Sequence, residues 1–151
     1  MIVVGDKEHG AAIARAIPRQ YNPTVDPVIS NVNADGIILG GVIFDGYTKA
    51  SIVVHQAGFD RHWLSRDMLW AAFDYPFNQL GCIKLCGTIP STNQALLDIN
   101  LRLGFVVETS IKDAYPGGDM LILSMRREQC RWLDLKPRGI VSNAVTPKGK
   151  L

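Results

Sequence analysis

Residues 50–88 read ASIVVHQAGFDRHWLSRDMLWAAFDYPFNQLGCIKLCGT, and the spacing of their apolar residues changes twice along the way. Ala50 to Gln56 is a β-branched run of strand character. After Gly58 the spacing becomes helical, and Ser65 is placed to cap a helix bearing Met68, Leu69, Ala72 and Phe73 on one side. Pro76 kinks or ends that helix, Gly81 closes the segment, and Cys82 to Thr88 is again a strand. Strand, helix and strand in succession predict a right-handed crossover and a parallel strand pair.

Moving toward the N-terminus, Val28 to Asn33 and Ile37 to Phe44 read as two further strands. They are joined by Asn33-Ala34-Asp35-Gly36, whose residues tolerate positive φ. Asp45-Gly46 is a second tight turn, so three antiparallel strands precede the crossover. The nearly continuous apolar character of Ile37–Phe44 predicts cover on both faces. Gly40-Gly41 marks a bulge or a close backbone approach. Ile2–Val4 is a short strand, Asp6 caps a helix running to about Arg15, and Pro18 limits it. Tyr21 to Pro27, with two prolines, is a loop.

Toward the C-terminus, Ser91-Thr92-Asn93 caps a second helix with Ala95, Leu96, Ile99 and Leu103 in register, stopped by Gly104. Strands at Phe105–Ile111 and Met120–Arg126 flank the turn Tyr115-Pro116-Gly117-Gly118-Asp119. The predicted order is therefore β, α, three antiparallel β, α, β, α, β, β. One domain over 1–135 is expected, with 136–151 a mobile extension, since Pro137, Gly139, Pro147 and Gly149 leave little periodicity there.

The bulk properties exclude several function classes. The chain has 151 residues, 47% hydrophobic and 20% charged, with a formal net charge of +2. This is a globular composition with no polyanion-binding footprint, so no nucleic acid partner is expected. Trp63, Trp70 and Phe73 fall at helical spacing and read as core rather than as a base-stacking platform. No apolar run reaches the ~20 residues needed to span a bilayer. Three cysteines, Cys82, Cys86 and Cys130, make neither a disulfide framework nor a zinc site, and a cytoplasmic protein without metal is expected.

Residues 93–105, NQALLDINLRLGF, resemble the GNAT acetyltransferase family, in which a helix opens on Asn and closes on Leu-Gly-Phe. Residues 63–81, WLSRDMLWAAFDYPFNQLG, and Glu108, three positions after Phe105, are similar to the branch that acetylates ribosomal-protein N-termini. The resemblance covers roughly Val28 to Leu133. It implies an α/β GNAT acyl-CoA N-acyltransferase fold: a mostly antiparallel sheet, a splayed parallel pair at its centre, and helices on both faces. It also implies acetyl-CoA as cosubstrate and direct acetyl transfer to a primary amine of a small molecule, a peptide N-terminus or a lysine.

In such a fold the splay unpairs backbone groups of Val54, His55 and Gln56, to which a pantetheine arm can bond like an added strand. The helix starting near Ser65 would direct its free amides at the pyrophosphate. Arg61, Leu64, Ser65, Arg66, Asn93 and Asn100 complete the expected coenzyme site. Two positions depart from the family pattern. Leu64 and Arg66 stand where the phosphate loop usually has small residues, and Asn100 stands where many members have a Tyr acting as general acid.

His55, an imidazole of the type that can exchange protons near neutral pH, and Glu108 are the candidate general bases, and water is the alternative. Asp113 and Tyr115 border the expected amine site. Cys86 has no activating His in a convincing position, and direct transfer needs no covalent enzyme intermediate. The alternative function is a catalytically weak or inactive domain that binds CoA or a partner protein, or that serves as a scaffold. The apolar character of the second and third helices leaves homodimerisation open.

Overall fold

Three side chains start the three α-helices of the described residues. Asp6 accepts hydrogen bonds from the N–H groups of Glu8 and His9, Ser65 from Met68, and Asn93 from Leu96. Each satisfies a backbone donor that has no partner within its own helix. The resulting helices are α1 (Lys7–Ala16), α2 (Arg66–Asp74) and α3 (Gln94–Leu103). Gly104 ends α3 at φ 107°, a left-handed conformation that a side chain would strain, and Phe105 N–H closes back on Asn100 C=O. The computed structural model describes residues 1–17 and 19–139.

Seven strands complete the described fold: β1 (Ile2–Val4), β2 (Val28–Val32), β3 (Ile38–Asp45), β4 (Ser51–Gly58), β5 (Lys84–Pro90), β6 (Val106–Tyr115) and β7 (Gly118–Arg126). They form one sheet in the order β1-β2-β3-β4-β5-β7-β6. Every pairing is antiparallel except β4 with β5, the pair joined by the α2 crossover.

The boundaries shift where side chains decide them. β5 begins two residues later than Cys82 and runs on to Pro90, because its pairing starts with Lys84 opposite Ser51 and Arg126 and continues along β7 to Pro90 opposite Met120. Asp45 belongs to β3 rather than to a turn, paired with Val53. Pro76 does not stop the second helix. It lacks the N–H that an α-helical ladder needs, and Tyr75–Gln79 continue as a wider π-helical turn in which Leu80 N–H reaches Tyr75 C=O.

Helices cover both faces. On one face α1 packs Ile13 and Ala14 against Val28, Ile43 and Ala57. On the other, Met68, Phe73 and Phe77 from the crossover meet Phe44, Ile52, Leu85, Leu123 and Met125, with Leu96 and Leu103 of α3 at the margin. Each fully buried Val, Ile, Leu, Met or Phe among them contributes roughly 1.5–3 kcal/mol through burial. Gly40 and Gly58 make room for Trp63: a Cβ on either would lie 2.7 Å or less from its side chain, which is laid over β3 and β4. No helix among the described residues is long and apolar enough to cross a membrane.

Candidate active site

The parallel pairing of β4 with β5 lasts three residues, Ser51–Lys84, Ile52–Leu85 and Val53–Cys86, and then stops. Beyond it β4 keeps β3 as its neighbour as far as Gly58, and β5 keeps β7 as far as Pro90. The two strands therefore diverge, and the β5-facing backbone of β4 from Val54 onward has no strand partner. A cavity of about 510 Å³ fills the wedge. Val54, His55 and Gln56 line it from β4, Gly87 to Pro90 from β5, and Asn93, Leu96 and Asn100 from α3.

Alternation along β4 sends these side chains to opposite faces. His55 falls on the α1 side with Ala57, and the cavity there meets Ala16 and Ile17 at the end of α1. Val54 and Gln56 fall on the α3 side. Gln56 Nε2 donates to Asn100 Oδ1 at 2.8 Å, while Asn100 Nδ2 donates to Leu96 C=O at 2.9 Å. Asn100, 4% exposed, is thereby committed at both ends of its amide. Asn93 spends its side-chain oxygen on the α3 cap and keeps Nδ2 as a donor at the cavity edge.

His55 has a partner that sequence periodicity does not reveal. Its Nε2 lies 3.0 Å from Asp45 Oδ1, and Arg19 Nη2 lies 2.5 Å from Asp45 Oδ2. Asp26 stands 3.6 Å from the same guanidinium nitrogen. The hydrogen bond from His55 holds the Asp45 carboxyl below the usual carboxylate range; burial opposes this and the charges of His55 and Arg19 reinforce it.

The other expected residues are distributed unevenly. Tyr115 lines the cavity, whereas Asp113 is exposed in the hairpin, its N–H bonded to Asp119. Glu108 is not beside the cleft. The strand order puts β7 between β5 and β6, and the Glu108 carboxylate is paired with Lys84 at the far side. That hydrogen bond keeps Glu108 below its ordinary pKa, the wrong direction for a base. Burial pushes the Cys86 thiol up, which disfavours the thiolate.

The loop after β4 is outside the cavity lining. Its amides are partly spent: Phe59 and Asp60 N–H donate to Leu39 C=O, Trp63 N–H to Asp60 C=O, and His62 N–H to the Asp60 carboxylate. Buried Asn31 on β2 pins the loop's end by donating to Trp63 C=O at 2.8 Å and Ser65 Oγ at 3.2 Å. Arg61 is exposed, Leu64 packs against the core, and Arg66 Nε donates to Lys136 C=O at 2.9 Å. Asp67, in the first turn of α2, receives the N–H groups of Arg138 and Gly139. Residues 136–139 are thus bonded to α2, while 140–151, the rest of the expected extension, lie outside the described residues.

Neither a protein-family model nor a curated protein matches the sequence. Solved structures do match the fold. A chimera of the Vibrio cholerae spermidine N-acetyltransferase SpeG with hSSAT superposes with a TM-score of 0.67 at 14% identity, over 89% of this chain and 98% of that one. A single-residue mutant of the Vibrio cholerae enzyme gives 0.67 at 13% identity, over 89% and 96%. Nourseothricin acetyltransferase gives 0.58 at 18% identity, over 67% and 65%. The fold is the GNAT acyltransferase fold: a mixed sheet, one splayed parallel pair, and helices on both faces.

Proposed function

We propose that this chain is an acetyl-CoA-dependent N-acetyltransferase that moves an acetyl group directly to a primary amine. The observation that carries the reading is the end of β4–β5 pairing at Val53 and Cys86, with a cavity in the wedge and His55 in its wall. The β5-facing N–H and C=O groups of Val54 and Gln56, left without a strand partner, suit the amides of a pantetheine arm, and the apolar Ile89, Leu96 and Leu123 suit its methylenes; the His55 backbone instead faces β3, opposite Ile43.

The phosphate end fits less fully. In α2 the N–H groups of Arg66 and Asp67 have no acceptor among the described residues, and Arg61 and Arg66 supply positive charge nearby; Asp67 supplies a negative one. The acetyl thioester brings the electrophilic carbonyl and a thiolate leaving group. His55 takes a proton from the acceptor's ammonium, and the freed amine nitrogen forms its bond to the carbonyl carbon. The C–S bond breaks, and the thiolate leaves with a proton from the new amide nitrogen or from water. Asn100 supplies none, because a carboxamide is no acid at neutral pH.

Acceptor identity is the finer part of the proposal. A small amine, a lysine side chain and a peptide N-terminus all present the same nucleophile. The segment 63–81 keeps the ribosomal-protein terminus among the acceptors to be tried. Three free cysteines suit a cytoplasmic protein. A single domain through residue 135 remains the expected unit, and a homodimer is a proposal to be tested by sizing.

Thermal unfolding with acetyl-CoA, CoA and ATP tests binding: saturation at ~100 times Kd adds about 2.7 kcal/mol of stability. No shift with either CoA species at millimolar concentration overturns the reading. Thiol release across small amines, lysine peptides and N-terminal peptides then tests transfer. Binding with no thiol release from any acceptor supports the second reading, a CoA-binding domain without catalysis, which Leu64 and Arg66 at the phosphate-loop positions and Asn100 favour.

A further inference from the structure

We propose that Asp45 is a positioning residue for His55, anchored by Arg19, and that it leaves Nδ1 of His55 as the atom that takes the acceptor's proton. The proposal rests on the acetyl-transfer reading above and adds to it which atom acts and what holds that atom in place.

The register of β3 and β4 sets the geometry. Ile43 lies opposite His55 and Asp45 opposite Val53, so Asp45 and His55 are diagonal neighbours on the α1 face of the sheet. At 3.0 Å the carboxylate and Nε2 are within hydrogen-bond reach. Asp45 also takes a charged hydrogen bond from Arg19 on its other oxygen, the arrangement of an ionised carboxylate. An ionised carboxylate only accepts, so the proton of the shared bond sits on Nε2. In the neutral ring the lone pair is then on Nδ1.

Three consequences follow for the chemistry. The ring's rotation is fixed by one strong bond rather than by cavity contacts alone. When Nδ1 gains the ammonium proton, the imidazolium finds its counter-charge already in contact. Nothing else has to move, and no proton passes to Asp45. Arg19 offsets the carboxylate's own charge, and with Asp26 3.6 Å away it is itself held from the connector that follows α1. The side chains of His55, Asp45 and Arg19 are 22%, 32% and 19% exposed, so this chain of groups lies largely beneath the surface. A fully solvated pair would orient a ring far less firmly.

The test uses the full chain labelled with ¹⁵N-histidine, the His55 signals being identified by their loss in His55→Gln. Two-bond ¹H–¹⁵N correlations of the neutral ring are expected to show the Nε2–H tautomer. Asp45→Asn is expected to redistribute the tautomers and to lower kcat by roughly tenfold to a hundredfold, with the KM for acetyl-CoA within about twofold. Asp45→Glu is expected to restore the Nε2–H tautomer and part of kcat. A wild-type ring carrying its proton on Nδ1 overturns the proposal even where Asp45→Asn does not fold. So does an Asp45→Asn protein with unchanged tautomer and unchanged kcat. The tautomer signature does not depend on turnover, so failure of the transfer reading and failure of this proposal are seen separately.

Discussion

The side-chain amide of Gln56 on β4 donates to Asn100 of α3 at 2.8 Å, and that bond ties the crossover strand to the last helix on one side of the wedge. Asn100→Ala removes its acceptor and strips a buried amide from α3. A loss of about 1–3 kcal/mol in unfolding free energy is expected, read by urea denaturation. Because Asn100 carries no proton for the leaving group, the alkaline limb of the transfer rate against pH should not move in the same variant. A displaced limb would mean that this position controls an acid.

Asp45 makes stability sensitive to acid. Its folded-state pKa is depressed, so its contribution is fully present above the unfolded value of about 3.9 and is lost as pH falls through the lower folded value. Wild-type protein should lose stability more steeply below pH ~4 than Asp45→Asn does. Urea midpoints taken between about pH 5 and pH 3 measure the difference, and parallel curves would show that the pair with His55 contributes nothing.

Gly58→Ala should unseat Trp63. The added Cβ would fall 2.3 Å from the indole nitrogen, and the ring is backed by β3 at Gly40. Overpacking of this kind costs about 1–3 kcal/mol. At ~2–4 °C per kcal/mol for a chain of this size, the melting temperature should drop by several degrees. A shift in tryptophan emission should accompany the loss.

Asp67→Asn separates two roles of one carboxylate. It weakens the acceptor that holds Arg138 and Gly139 N–H, so amide exchange at those residues should accelerate. It also removes a negative charge from the first turn of α2. Under the proposed function that change should tighten acetyl-CoA binding by roughly twofold to fivefold, the size of a helix-end charge effect. Calorimetric titration reads the affinity, and an unchanged Kd would place the phosphates elsewhere.

What the sequence carried was local. The meander, the crossover and the caps at Asp6, Ser65 and Asn93 depend on neighbours a few residues away, and all are found. The pair Gly40-Gly41 announced a close approach, but the indole that makes it comes from Trp63 in another segment. Asp45 read as a turn residue because its partners, Arg19 and His55, lie 26 and 10 positions away and only sheet register brings them together. Asn31 was silent for the same reason, bonded to residues more than 30 positions distant. Glu108 was misplaced by strand order: its spacing after Phe105 and a strand read as next to the cleft made it a base candidate, but β7 inserts between β5 and β6.

The wedge between β4 and β5 is a gap in a single sheet, with walls drawn from both of its faces. Two reactants that meet in such a gap need not take turns in it: one can lie along the open strand while the other comes in beside His55. Initial rates measured against both reactants should then give lines that intersect, the signature of a ternary complex. The parallel lines of an acetylated-enzyme cycle would require a covalent nucleophile, a role for which Cys86, the nearby thiol, is ill suited because burial pushes its pKa up.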